Sequence, residues 1–206
     1  MRLGLDLRKH AADDAIEIAG QADRLGIWAV LVTATAGAET ALAAEIAVAT
    51  EHVHLAVQLD PTRAHWQALA EEIAILDQLS ARRALAVIDG DADTTDRVRR
   101  LLAAEVVDGV VIAPTAAQTA VPTWQASELV IAELPGDLGG DLTDARAIVD
   151  DLRDGGATHG FATWAGPTAV FARHLATRAL TPDFPDLVAD YADAISPNST
   201  RPLDAE

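Results

Sequence analysis

Residues Ala70 to Gly90 read AEEIAILDQLSARRALAVIDG, and this stretch decides the fold. Its first half is helical. Leu69, Ile73, Leu76 and Leu79, with Ala70, recur at three- and four-residue spacing and make one apolar stripe. Glu71, Glu72 and Asp77 fall outside that stripe. Ser80 and the Arg82-Arg83 pair close the helix, where cations suit the negative end of its dipole. ALAVI then forms a short apolar run stopped by Asp89-Gly90-Asp91, the pattern of a buried strand ended by a polar turn. A helix feeding a buried strand is half of a βαβ unit.

The pattern repeats along the chain. Strands are expected at Arg2 to Leu7, Trp28 to Thr33, Val53 to Leu59, Ala84 to Ile88, Gly109 to Ala113, Leu129 to Ala132 and His159 to Trp164. Helices are expected at Ala11 to Leu25, Ala38 to Thr50, Thr62 to Ser80, about Thr94 to Glu105, Asp144 to Arg153, and from Gly166-Pro167-Thr168 to Leu180. Thr115 to Ser127 reads as a loop with a turn or two of helix. Strands alternating with helices imply a parallel sheet. The short links suit a barrel or an open doubly wound sheet. No Gly-x-Gly-x-x-Gly follows a strand, so a Rossmann dinucleotide site has no support.

Three segments carry a resemblance. Ala22-Asp23, Leu25-Gly26 and the strand Trp28 to Thr33 come first, and Ala44 to Leu55 second. The third is Glu71-Glu72 with the run Leu76 to Ser80 and Arg83. In this order they resemble the bacterial luciferase-like family of flavin-dependent oxidoreductases, whose corresponding stretches read approximately AEELGFDSVWVSD, LAAATERIRLG and AEEAATLDQLSGGRLILGVG. The resemblance implies an α/β fold: a TIM-like (β/α) barrel, shortened, with seven to eight parallel strands. Much of the family's usual extra length follows strand four. Here that strand runs almost directly into a short helix. One domain is expected over 1–195, with a flexible tail over 196–206.

Composition bounds the function. The chain has 206 residues with 32 acidic and 15 basic side chains, a formal net charge of -17. Such a surface repels nucleic acid and anionic membranes. No apolar run approaches the length of a membrane span. Cysteine is absent and no signal-peptide pattern opens the chain, so a cytoplasmic protein is expected.

Barrel sites lie at the C-terminal ends of the strands. Those ends supply Asp6, Arg8, Thr33, Thr35, Gln58, Asp60, Asp89, Asp91, Thr115, Glu133 and Trp164. A flavin needs an apolar wall, hydrogen bonds to the ring's polar edge and an anchor for its phosphate. Trp164 or Trp28 can supply the wall, although Trp28 reads more simply as core. Arg8 can hold a phosphate, or pair with Asp6 or Asp13. The turn Gly166 to Thr168 opens a helix after the last strand, which suits phosphate or an ordinary cap. The cofactor-contact set is therefore Asp6, Arg8, Gln58, Asp89, Trp164, Gly166 and Thr168. His10 is the one histidine near a strand's C-terminal end and the candidate acid or base. The acids Asp6, Asp60, Asp89, Asp91 and Glu133 could converge on Mg²⁺, but they read better as solvated loop residues, so no metal is expected.

By resemblance, the cofactor is FMN or F420 and the protein is an oxidoreductase or monooxygenase acting on a small molecule. Family members commonly dimerise through their second and third helices, and the Ala-rich Ala38 to Thr50 helix suits such close packing. The departures point elsewhere. Val87 and Asp89 stand where the family has glycines, and strand three ends Ala56-Val57-Gln58 in place of Gly-Thr-Gly. After strand two, Ala34-Thr35 replaces the family's acid-histidine pair. A flavin approaches backbone closely only where side chains are absent. The alternative is a non-catalytic, degenerate barrel that binds a flavin derivative or serves as a partner subunit.

Overall fold

The computed structural model describes residues 1–33, 40–135 and 142–180. Readings that fall on Thr35, on Ala34, on the start of the second helix or on the tail from 196 lie outside the described residues. Seven strands form one parallel sheet: β1 (Arg2–Asp6), β2 (Ala29–Thr33), β3 (His54–Leu59), β4 (Ala84–Ile88), β5 (Thr123–Gln125), β6 (Val130–Leu134) and β7 (His159–Trp164). Their order is β5-β4-β3-β2-β1-β7-β6. This is the cyclic order of a (β/α) barrel, cut between β5 and β6. The first strand pairs with the last, Arg2 opposite His159 and Gly4 opposite Phe161. The result is a curled half-barrel with helices outside, a shortened TIM-like fold.

The helices are α1 (Ala12–Arg24), α2 (Ala41–Ala49), α3 (Trp66–Leu79), α4 (Ala92–Leu102) and α5 (Thr143–Asp154). A last helical segment runs through α6 (Thr168–Phe171), a wider π turn over Ala172–Ala176, and α7 (Thr177–Leu180). Their apolar stripes meet the outward residues of the strands in the main core, which includes Leu5, Val30, Leu55, Ile73, Val98 and Phe171. No described helix is long and apolar enough to cross a membrane.

The inward residues make a second, smaller core of Ala29, Leu31, Ala56, Leu85, Val87 and Phe161. Phe161 fills the lumen because its neighbours are small. A Cβ on Gly4 would lie 2.5 Å from the Ala29 carbonyl oxygen and 2.9 Å from the Phe161 ring. Only glycine fits there.

The matched sequence run builds the α3–β4 corner. Asp77 is fully buried and accepts from the Gln118 backbone N–H and side-chain amide, both at 2.7 Å. The Arg83 guanidinium folds back under α2 and donates to the carbonyls of Ser80, Val53, Ala47 and Thr50, and to the Thr50 hydroxyl. Asp23 does the matching work at α1, accepting from the backbone N–H groups of Glu51, His52 and Val53. These residues knit helix ends to strand starts at the base of the sheet.

One strand differs from the sequence reading. Gly109 to Ala113 is not a strand. Asp108 and Gly109 both take positive φ, 51° and 79°, and Val107 pairs with Val110 across them in a tight antiparallel turn. Asp-Gly is the turn signal that overrides the valines' strand propensity. The fifth strand is Thr123–Gln125, inside the expected loop; three residues are too few to show a period of two.

Ala81 and Arg82 occupy the two positions where the resembling family has Gly-Gly, and both sit at positive φ, 52° and 73°. A non-glycine residue there costs about 1–2 kcal/mol, offset in part by glycine's greater loss of freedom on folding, about 0.5–1 kcal/mol. Arg82→Gly should therefore raise stability by roughly 0.5 kcal/mol. Chemical denaturation checks this; a lower midpoint would count against the strain.

Candidate cofactor site

At the C-terminal end of the lumen, polar side chains lie above the apolar floor of Leu31, Val87 and Phe161. Period two puts them there. Gly4 and Asp6 face inward from β1, Ala56 and Gln58 from β3, Leu85 and Val87 from β4 with Asp89 following, and Phe161 and Thr163 from β7. Asp6 is only 2% exposed. Its carboxylate accepts from Arg8 Nε at 2.8 Å, Arg8 Nη2 at 2.7 Å, the Arg8 backbone N–H at 3.1 Å and the Thr163 hydroxyl at 3.3 Å. Arg8 Nη1 also donates to Gln58 Oε1. Gln58 Nε2 donates onward to Asp89 Oδ2 at 3.0 Å. One hydrogen-bonded chain thus crosses the mouth from β7 through β1 and β3 to β4. Lys9 reaches Glu133 at 2.5 Å on the rim.

Burial pushes the Asp6 carboxyl up, but the hydrogen bonds and charge of Arg8, with the Thr163 hydroxyl, hold it below the ordinary value of 3.8. Asp6 in turn raises the Arg8 guanidinium. Lys9 lowers Glu133.

Of the residues singled out from sequence, Asp6, Arg8, Gln58 and Asp89 come together in this chain. Trp164, Gly166 and Thr168 do not join it. Trp164 follows Thr163 and so points outward, into the helix-side core, where Nε1 donates to the Pro167 carbonyl at 3.1 Å and the ring packs on Phe171. Gly166 lies against that indole, and Thr168 is buried at the start of α6. His10 follows the same β1 end, its N–H bonded to the Leu7 carbonyl at 3.0 Å. Thr163 was missed, although it shares parity with Phe161 and stands opposite Glu133 in the β6–β7 register.

The remaining acids have local work. Asp60 accepts from the Thr62 N–H and hydroxyl, closing the turn after β3. Asp91 caps α4 through the Thr94 N–H at 2.7 Å. Among the described residues, no three His, Asp or Glu side chains are placed to hold a metal.

The polar groups at the mouth, an amide, a hydroxyl, a guanidinium and a carboxylate above an apolar floor, are of the kind a flavin's polar edge takes, although here they are hydrogen-bonded to one another. They fit the phosphate less well, because Asp6 already holds Arg8 on two sides. Residues 34–39 and 136–141 lie outside the described residues.

A seven-stranded, cyclically ordered parallel half-barrel with its polar cluster at the C-terminal mouth defines the class: a shortened TIM-like (β/α) fold. Solved structures agree at the level of fold. The chain is similar to an F420-dependent secondary alcohol dehydrogenase in complex with an F420-acetone adduct, at TM-score 0.54 and 15% identity, over 94% of this chain and 82% of that one. It is similar to the oxygenating constituent of 3,6-diketocamphane monooxygenase from the CAM plasmid of Pseudomonas putida, in complex with FMN, at TM-score 0.50 and 15% identity. That match covers 73% of this chain and 55% of the monooxygenase, so this chain spans about half of it. Monooxygenase RslO1 from Streptomyces bottropensis aligns over 98% of this chain and 68% of its own, at 19% identity and TM-score 0.48. No family model matches the chain. No curated protein matches it either.

The Asp6–Arg8 pair makes stability depend on pH. A depressed carboxyl contributes stability above its unfolded value and loses it as pH falls through the lower folded value. Asp6→Asn should therefore be clearly destabilising at pH 7, with the gap to wild type narrowing once pH drops below 3.8. Urea midpoints at pH 7 and pH 3 check this; a gap that is constant with pH would overturn the assignment.

Proposed function

We propose that this chain is a luciferase-fold oxidoreductase that uses FMN or F420 at the C-terminal mouth of its half-barrel, on a small molecule. The observation that supports it best is the hydrogen-bonded chain Asp6–Arg8–Gln58–Asp89, joined by Thr163. When bound, the cofactor supplies the hydride chemistry. The protein's part is to position the ring and exclude water. Gln58, Thr163 and Asp89 offer the polar edge its partners. Gly166 and Thr168 offer backbone after β7 for the phosphate, with Trp164 bracing that turn from behind. His10 is the candidate proton carrier.

A second reading has its own observation. Val87 and Phe161 fill the lumen beneath the mouth, and Nε and both Nη atoms of Arg8 already donate to Asp6 and Gln58. A barrel satisfied in this way suits a non-catalytic member that holds a flavin derivative at its surface or serves as a partner subunit.

Titration with oxidised and reduced FMN and F420, followed by tryptophan fluorescence, separates the two. The oxidoreductase reading expects saturable micromolar binding of one cofactor. Losing a hydrogen bond at Gln58→Ala should weaken binding by about tenfold. Absence of binding by either cofactor overturns that reading and leaves the partner subunit.

The same reading includes a homodimer. Apart from Glu45, α2 is built of apolar residues, and a helix so rich in them gains when its outer face is covered. Its Val48 is 83% exposed, and Ile75 and Leu79 of α3 are 46% and 56% exposed beside it. Gel filtration at micromolar concentration should show a dimer, and Val48→Asp with Ile75→Glu should give the monomer. A wild-type monomer would overturn this.

A further inference from the structure

The opposite end of the lumen is lined by rings. His54, Trp124 and His159 stand in strands with inward parity, Trp28 lies just before β2, and all four are half-buried. The Trp28 ring centroid lies 5.0 Å from His159, 6.4 Å from His54 and 5.7 Å from Phe161, and meets Trp124 edge-on at 6.5 Å. Trp124 and His159 are 5.5 Å apart and tilted by 42°. Beside them, where β5 and β6 do not pair, a cavity of about 410 Å³ opens between Trp124, Leu129, Val130, Thr158 and His159.

The chemistry of this cavity is specific. Its walls include two aromatic faces. One edge carries a hydroxyl and an imidazole, Thr158 Oγ1 and His159 Nδ1 lying 3.1 Å apart. Burial, Arg2 and the N-terminal amine hold His159 below the usual histidine range, so at neutral pH it is uncharged and offers one donor and one acceptor. Glu128 at the rim is already engaged, its carboxylate accepting from the Gln125 N–H at 2.9 Å. Glu128 remains an exposed carboxylate and Arg2 with the N-terminal amine acts on His159, so the cavity meets charges of both signs and favours neither in a ligand. A flat ring finds stacking faces and a hydrogen-bonding edge.

We propose that this seam cavity is a second ligand site for an uncharged heteroaromatic of one or two rings, stacked on Trp124 and read along its edge by Thr158 and His159. It lies at the far end of the lumen from the mouth and does not depend on the flavin reading. A purely structural ring cluster would plug the lumen without binding anything.

Indole N–H signals in an NMR titration test it, because the four Trp residues give separable reporters. The probes are indole and adenine, with cyclohexanol as a non-aromatic control. Indole or adenine should shift Trp124 and Trp28 saturably, with a dissociation constant below about 1 mM, and leave Trp66 and Trp164 unmoved. Thr158→Val, at an exposed position, should weaken binding about fivefold to tenfold. Ala157→Leu should fill the cavity and abolish it. The proposal is overturned if neither ring compound gives a saturable shift, if cyclohexanol acts equally, or if Thr158→Val binds as well as wild type.

Discussion

One packing constraint sets the shape of this protein: a phenylalanine in the lumen around which the seven described strands curl. Phe161 is fully buried, and the glycine beside it on β1 cannot be replaced without striking backbone. Ala29 and Ala56 keep the neighbouring walls thin. Small residues on three strands and a large one on the fourth let the sheet curl tightly enough to dry its interior. The polar chain at one end and the ring cluster at the other are the two ends of that filled column. Both owe their positions to the same alternation along the strands, except for Trp28, which lies just before β2.

The residues that carry the family resemblance have a different task. Asp77, Arg83 and Asp23 contact one another's helix ends and strand starts, far from the mouth. Arg83 satisfies four backbone carbonyls and Asp23 three backbone N–H groups, while Asp77 holds the Gln118 N–H and side-chain amide; a buried group of this kind left without its partner costs about 1–3 kcal/mol. A motif of this kind reports how the chain is folded and says nothing of what it transforms. That is why its persistence is compatible with either a working or a silent mouth.

Much of the fold was legible because its elements are long and strongly patterned. The helix from Trp66 and the strand after it were readable from spacing alone, and so were β1, β2, β3 and β7. The fifth strand was not. Its three residues carry no period, and a valine run with an Asp-Gly turn at its start imitated it. The mouth was half legible. Taking strand ends as the place to look found Asp6, Arg8, Gln58 and Asp89. The same rule without parity also admitted Trp164, which faces the helices. Counting inward by twos from Phe161 separates Thr163 from Trp164, and counting back finds His159. The ring cluster is not legible in the sequence because its members lie on, or just before, strands far apart in the chain and meet only when the sheet curls.

The pairing of the first strand with the last has a consequence for synthesis. As the chain leaves the ribosome, β1 to β4 can align one after another, yet β1 keeps an open edge until β7 arrives. Gly4 has no Phe161 to close over, and the inward apolar residues face water. Contacts this distant in sequence form late and slowly. Most of the polypeptide must therefore wait, partly assembled, for its final third, so a truncated or stalled chain would expose the very surface that the finished protein hides best.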